Sequence, residues 1–298
     1  MSSTEPLFGR LIPAMVTPFD ENLVLDLNRT QELADRLVKG GVDSIVVCGT
    51  TGESPTVFYP QKIDLFKAVI EAVDGRAKII ANVGDNCTDD SVSFARDVAK
   101  LDVDGFLAVV PYYNKPPQEG LYRHFSTLAS ATDVPLIMYN IPGRCVVNMT
   151  AETTIRLAHD CDTIVGVKEC SGSLEQVRTI VENTPDDFVL YSGDDGATLD
   201  IMENGGAGVI SVVANVCPER MGEIVRLAAE GQWEKARQLN EELLPLMDGL
   251  FETANPILCK EALKLLGFPV GGCRLPLISA TNEQSARLAE IMKQVGVL

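Results

Sequence analysis

The chain has 298 residues, 46% of them hydrophobic and 22% charged, which is enough apolar material for a large core and too long for one small domain. Lys and Arg total 25 against 42 Asp and Glu, a net charge of −17 that repels phosphate backbones and anionic membranes; neither nucleic acid nor a membrane is an expected partner. The eight cysteines are scattered, with neither the density of a disulfide framework nor the clustering of a zinc site, so they are read as reduced, small core residues.

The opening residues MSSTEPLFGR lack the apolar region of a signal peptide. No stretch reaches the ~18 apolar residues of a membrane span. A soluble cytoplasmic protein is expected.

Eight short apolar, β-branched runs follow one another, at 11–17, 44–48, 78–83, 105–110, 135–139, 164–168, 188–192 and 208–214, and each predicts a strand. Helical segments lie between them. "NRTQELADRLVKGG" ends in glycines, as a helix C-terminus does. "YPQKIDLFKAVIEAVDG" sets Ile63, Phe66, Val69 and Ile70 on one face. "TDDSVSFARDVAKLD" opens with Thr88 as a cap and acids in the first turn. "TAETTIRLAHDC" and "SGSLEQVRTIVENT" follow the same grammar, and the two histidines, His124 and His159, fall in helices as packing or surface residues.

Strict strand–helix alternation implies parallel strands with crossover helices. An open doubly wound sheet and a closed barrel compete. No G-x-G-x-x-G follows the first strand, no phosphate-loop motif occurs, and eight units match the α/β (β/α)8 TIM barrel. From Gln232 the pattern is helical only: "QWEKARQLNEELLPLMDGLFE", "NPILCKEALKLLG" and "TNEQSARLAEIMKQVG". Residues 1–231 are therefore assigned to a catalytic barrel and 232–298 to a C-terminal helical appendage.

A barrel of this kind carries its site at the C-terminal strand ends. Those ends hold Thr17, Gly49-Thr50-Thr51-Gly52-Glu53, Tyr112-Tyr113-Asn114, Tyr139 through Arg144, Lys168, Ser192-Gly193-Asp194-Asp195 and Asn215. Asp194, Asp195 and Glu53 are acids able to hold a hard cation, but no set with metal-ligand spacing stands there, and no metal is expected.

Lys168 is the unusual residue. It ends a strand that reads as buried on both faces, where lysine is rarely found unpaired. It is a misplaced surface residue, half of an ion pair, or a nucleophile. Pairing with Glu169 is disfavoured because neighbouring strand residues point to opposite faces. Burial lowers an amine's pKa, and a neutral amine forms a Schiff base with a carbonyl without metal or organic cofactor. Tyr139, on the preceding strand, is a candidate proton shuttle. The glycine-flanked Thr50-Thr51 turn offers N–H and hydroxyl donors to a carboxylate, and Arg144, after a Pro-Gly turn, suits a second carboxylate.

"GTTGES", "PYYNKP", "YNIPGR", "GVKECSG", "SGDD" and "GVISVVAN", in this order and spacing, resemble the dihydrodipicolinate synthase / N-acetylneuraminate lyase family of class I aldolase-type barrels across essentially the whole chain, "NPILCKEALKLLG" included. Thr50-Thr51 and the arginine of "YNIPGR" look like the branch that condenses pyruvate with L-aspartate-4-semialdehyde on the way to diaminopimelate and lysine. The resemblance implies a pyruvate imine on Lys168, a proton relay of Tyr139, Thr50 and Tyr113, and Tyr113 reaching into a partner's site across a tight dimer. It implies Thr51 on the pyruvate carboxylate, Arg144 on the semialdehyde carboxylate, Gly193 and the Ile210 backbone lining the site, no cofactor beyond the covalent imine, and a homotetramer built as a dimer of dimers. The family's lysine-inhibition site corresponds here to Ser54, Tyr59, Lys62, Asn86, Asp90 and Tyr112. Lys62 would repel a cationic ligand and Asp90 is shorter than the usual glutamate, so weak or absent lysine inhibition is expected. Cys170, where the family often has alanine, is expected to be a tolerated small residue. The alternatives are a pyruvate-dependent aldolase or lyase for a 2-keto-3-deoxy sugar acid, using the same lysine, and a catalytically dead metabolite-binding barrel.

Overall fold

The computed structural model describes residues 5–298. Eight short strands form one sheet: β1 (Leu11–Pro13), β2 (Ser44–Val47), β3 (Lys78–Asn82), β4 (Gly105–Val109), β5 (Leu136–Asn140), β6 (Ile164–Glu169), β7 (Val189–Ser192) and β8 (Gly208–Ser211). Their order is β1-β8-β7-β6-β5-β4-β3-β2, and a parallel bridge between Ala14 and Val46 joins the two ends of that order. Every described pairing between named strands is parallel, and helices stand between the strands. The fold is a (β/α)8 barrel.

The helices are α1 (Leu27–Lys39), α2 (Tyr59–Val73), α3 (Thr88–Val98), α4 (Gln118–Ala129), α5 (Pro142–Cys145), α6 (Ala151–Asp160), α7 (Leu174–Asn183), α8 (Thr198–Glu203), α9 (Pro218–Ala229), α10 (Trp233–Gly249), α11 (Ile257–Leu265) and α12 (Asn282–Gln294). By internal packing the chain forms two compact units. One holds Ile80–Ile210 with the described residues up to Arg10; the other holds Leu11–Ile79 and Ser211–Leu298.

In the first unit, β4 to β7 pair side by side; the β5–β6 register shifts once, between Leu136 and Ile137, and beyond it Val109 stands beside Tyr139, Tyr139 beside Lys168 and Lys168 beside Tyr191. Phe106, Ile137, Met138, Val167 and Leu190 make these strands apolar on both faces, as strands covered by crossover helices are. Thr150 and Ser173 cap α6 and α7 by accepting from the N–H of Thr153 and Gln176. Thr88 is not a cap: it is the first residue of α3, the N-cap position is Cys87, and the Thr88 hydroxyl instead meets His124 Nδ1 at 2.9 Å. Burial pushes the His124 imidazole down to about 4, so at neutral pH it packs as an uncharged group.

In the second unit, Met15 N–H donates to Val46 at 2.9 Å and Ala14 N–H to Ser211 at 2.7 Å. The strands predicted at 11–17 and 208–214 are longer than the observed β1 and β8. Beyond Ser211 the chain turns into a 3-10 turn, Val213–Asn215. Buried Asn215 there accepts from Val16 N–H and donates to the Ala14 carbonyl at 2.8 Å. The face of α2 that is buried is Leu65, Phe66, Ala68, Val69 and Val73; Ile63 and Ile70 are only half-buried, so the inward stripe is rotated from the one predicted.

Candidate active site

Side chains in register on neighbouring parallel strands share a face of the sheet, and successive residues alternate. Tyr139, Lys168 and Tyr191 therefore form one row, and Asn140, Glu169 and Ser192 the next row on the opposite face. Glu169 is satisfied on its own side. It accepts from Asn140 Nδ2 at 3.1 Å, from the Ser171 N–H at 2.6 Å and from Gln176 Nε2 at 3.1 Å. Burial raises the Glu169 pKa, and these hydrogen bonds oppose the rise. The acid adjacent to Lys168 in sequence is thus committed to another network.

Lys168 is 5% exposed and makes no ion pair among the described residues. Its Nζ lies 4.3 Å from the centre of the Tyr139 ring, which is itself buried. Burial holds its pKa well below the ordinary lysine value; Cys170 and the buried Asp195 carboxylate oppose this, and the Arg144 guanidinium reinforces it. Arg144 projects from the one-turn helix α5, where a simple Pro-Gly turn was expected, and is exposed. Asn140 secures the chain beyond that turn by donating to Asn148 Oδ1 at 2.8 Å and accepting from the Met149 N–H at 3.0 Å.

Gly193 donates its N–H to the Glu169 carbonyl at 3.1 Å. A Cβ at this position would sit 2.1 Å from Cys170 Sγ and 2.6 Å from Lys168 Cε. Only glycine lets the end of β7 pass that close to the amine. Cys170 therefore belongs to the reacting surroundings. Burial pushes its thiol up to about 11, and the thiol shares a hydrogen bond with Tyr139. Two residues beyond Lys168, it returns to the same face, which is the signal by which sequence alone could have placed it.

Of the other predicted residues in this unit, Ile210 is fully buried at the end of β8. Tyr113 is 88% exposed and held at φ +74°, a left-handed backbone rarely adopted by a bulky residue. Asn86 Nδ2 donates to the Tyr112 carbonyl at 3.2 Å, and Asn114 Nδ2 to the Asn86 carbonyl at 2.8 Å, so these loops are laced together. Asp90 is exposed in the first turn of α3.

In the second unit, the turn after β2 is tightly built. Thr17 donates its hydroxyl to the Gly52 carbonyl at 2.6 Å, and a Cβ on Gly52 would lie 2.8 Å from Cys48 Cα. Among the described residues no protein acceptor takes the backbone N–H of Thr50, Thr51 or Gly52. Successive backbone N–H groups left without a protein acceptor are donors that an anion can use. Glu53, at φ +54°, closes the turn. Its carboxylate is buried against Lys260 Nζ at 2.5 Å and accepts the Arg274 N–H at 2.8 Å. Burial depresses the Lys260 pKa and the Glu53 carboxylate opposes that shift. Ser54 opens the following 3-10 turn; Tyr59 begins α2 and is exposed; Lys62 is half-buried one turn along, where its charge acts on the Cys48 thiol. Among the described residues no group of three His, Cys, Asp or Glu is placed to hold a metal ion, and no helix is long and apolar enough to cross a membrane.

The model of the Dihydrodipicolinate synthetase family matches residues 7–295. The chain belongs to this family. It is 49% identical over 98% of its length to the 4-hydroxy-tetrahydrodipicolinate synthase of Moorella thermoacetica, covering 99% of that protein. It is 47% identical to that of Symbiobacterium thermophilum, covering 98% of this chain and 100% of the relative. Among solved structures, the DHDPS of Cyanidioschyzon merolae with lysine bound superposes with a TM-score of 0.97 at 43% identity, over 99% of this chain and 100% of the other.

The buried pair Glu53–Lys260 is not visible in any sequence motif. Removing one member of such a pair leaves the other charged and buried, which costs about 3–5 kcal/mol. Lys260→Met should lower unfolding stability by that order in urea denaturation, and adding Glu53→Gln should restore part of it. An unchanged midpoint in the single variant would show that the pair does not hold the turn.

Proposed function

We propose that this chain is a lyase that condenses pyruvate with L-aspartate-4-semialdehyde, the 4-hydroxy-tetrahydrodipicolinate synthase activity for which its relatives are named. The observation that carries the proposal is Lys168: a buried, unpaired amine with a lowered pKa beside a buried tyrosine.

The neutral Nζ adds to the ketone carbon of pyruvate. Tyr139 moves the proton to the oxygen that leaves as water, giving an imine cation on Lys168. The cation withdraws electrons, the methyl group loses a proton, and the resulting enamine carbon attacks the aldehyde of the second substrate. A carbon–carbon bond forms and the aldehyde oxygen takes up a proton. The amino group of the semialdehyde unit then adds to the imine carbon, closes the ring and expels the Lys168 amine. The scheme calls for no metal or organic cofactor.

Thr50 and the Tyr113 of a second copy complete the proton relay with Tyr139. Thr51 and its neighbouring N–H groups take the pyruvate carboxylate; Arg144 takes that of the semialdehyde, supplying the local positive charge that a chain of net charge −17 needs for an anionic substrate. Gly193 and the Ile210 backbone line the site. An exposed aromatic held on left-handed backbone, as Tyr113 is, supports a role completed by a partner, and the assembly proposed is a homotetramer, a dimer of dimers. Residues 1–231 are proposed as the catalytic barrel, 232–298 as its helical appendage, and the cytoplasm as its compartment. The names of the relatives favour this substrate pair over a sugar acid.

Incubation with pyruvate followed by borohydride should leave a reduced pyruvate adduct on Lys168, located by peptide mass spectrometry, and Lys168→Ala should abolish it. An adduct elsewhere, or none, would refute the mechanism. The candidate regulatory residues are Ser54, Tyr59, Lys62, Asn86, Asp90 and Tyr112, and the ammonium of Lys62 opposes a cationic ligand there. Titration of the condensation activity with L-lysine should therefore show weak inhibition or none; inhibition at micromolar lysine would contradict that role for Lys62.

A further inference from the structure

The hydroxyl of Thr51 is gripped from the C-terminal part of the chain. Asn255, 5% exposed, donates Nδ2–H to Thr51 Oγ1 at 2.9 Å, and Thr51 is 3% exposed. A hydroxyl has one hydrogen to give and lone pairs to accept with. Because Thr51 accepts from the amide, its own hydrogen stays available, and no protein acceptor takes it among the described residues. The other amide atom, Asn255 Oδ1, is buried without a partner. In this arrangement the amide presents its N–H to Thr51 and turns its oxygen away from it.

The segment that carries Asn255 also holds the far end of the same turn. Five residues on, Lys260 meets Glu53 at 2.5 Å and the Gly272 carbonyl at 2.7 Å, and its ammonium lies 4.2 Å from the centre of the Phe19 ring. Two successive anchors, one neutral and one charged, therefore fix Thr51 and Glu53 together. The neutral anchor sets the direction of a hydrogen bond; the charged one sets the position of the backbone.

We infer that Asn255 is a positioning residue that fixes the Thr51 hydroxyl as a hydrogen-bond donor toward the carboxylate of the keto-acid substrate. The inference rests on the reading of Thr51 as a carboxylate-binding residue. A carboxylate offers only acceptors, so a hydroxyl turned to donate elsewhere would present the wrong polarity to it.

The test compares Asn255→Asp, Asn255→Ala and Thr51→Val in the full-length enzyme, with kcat and the KM for pyruvate followed from acid to alkaline pH. The ionised carboxylate in Asn255→Asp accepts only and draws the Thr51 hydrogen away. The KM for pyruvate should rise about tenfold or more on the alkaline side, with kcat changed less. A buried carboxyl titrates above its ordinary range, and once protonated it can donate to Thr51 as the amide does. The KM should therefore return toward the parental value as pH falls. Asn255→Ala should show a smaller rise that does not vary with pH. A parental KM in Asn255→Asp at every pH, or a rise with no recovery in acid, would overturn the inference.

Should Asn255→Asp not fold, Asn255→Ala carries the test. Its KM rise should vanish in a Thr51→Val background, whereas an equal rise in both backgrounds would show that Asn255 acts otherwise than through Thr51, and would overturn the inference. If Thr51→Val leaves the pyruvate KM unchanged, the reading of Thr51 itself fails and the inference falls with it. If Thr51→Val raises the KM and Asn255→Asp does not, only the inference fails.

Discussion

Taking an ammonium group out of water costs several kcal/mol, and this chain has 42 acids with which Lys168 could have been paired. Among the described residues it forms an ion pair with none of them. The acid beside it in sequence is turned to the other face of β6 and occupied by Asn140, Ser171 and Gln176. Asp195 bears on the amine, but burial is the larger influence. The surroundings thus favour the neutral form, which is the form that attacks a carbonyl.

Much of the local architecture follows from keeping that amine in place. Strand alternation puts Tyr139 and Tyr191 on its face and keeps Glu169 off it. Gly193 is required because any side chain there would collide with Cys170 and Lys168. The Thr50–Thr51 turn is a separate construction with its own constraint. The turn is held by Asn255 on the Thr51 hydroxyl and by Lys260 on the Glu53 carboxylate, both anchors contributed by the C-terminal helical segment. Preorganised donors of this kind need no reorganisation when charge arrives, which is how polar sites gain most of their effect.

The sequence reveals the barrel readily because each strand is a short apolar run between helical segments, and a strand apolar on both faces is hard to mistake when eight recur. Its errors have local causes. The runs at 11–17 and 208–214 overshoot because apolar residues continue into buried non-strand backbone that Asn215 ties down. Thr88 looks like a cap, but His124, 36 residues away, takes its hydroxyl. The inward face of α2 is rotated because Leu65 and Val73 pack better than the more exposed Ile63 and Ile70. Lys168, Tyr139 and Gly193 were accessible to strand arithmetic, and Cys170 would have been by the same count. Asn255 and Lys260 were not: Asn255 lies 204 residues from Thr51, and nothing in either local pattern announces the contact.

The central claim is that burial, outweighing the opposing influence of Cys170 and Asp195, keeps the Lys168 amine easier to deprotonate than an ordinary lysine. Its direct measure is a pH titration by NMR of protein carrying carbon-13 at the lysine Cε positions, with the Lys168 signal assigned by its loss in Lys168→Arg. The account predicts that Lys168 titrates well below the exposed lysines, which change near pH ~10.4. Titration of Lys168 together with them, or above them, would contradict it.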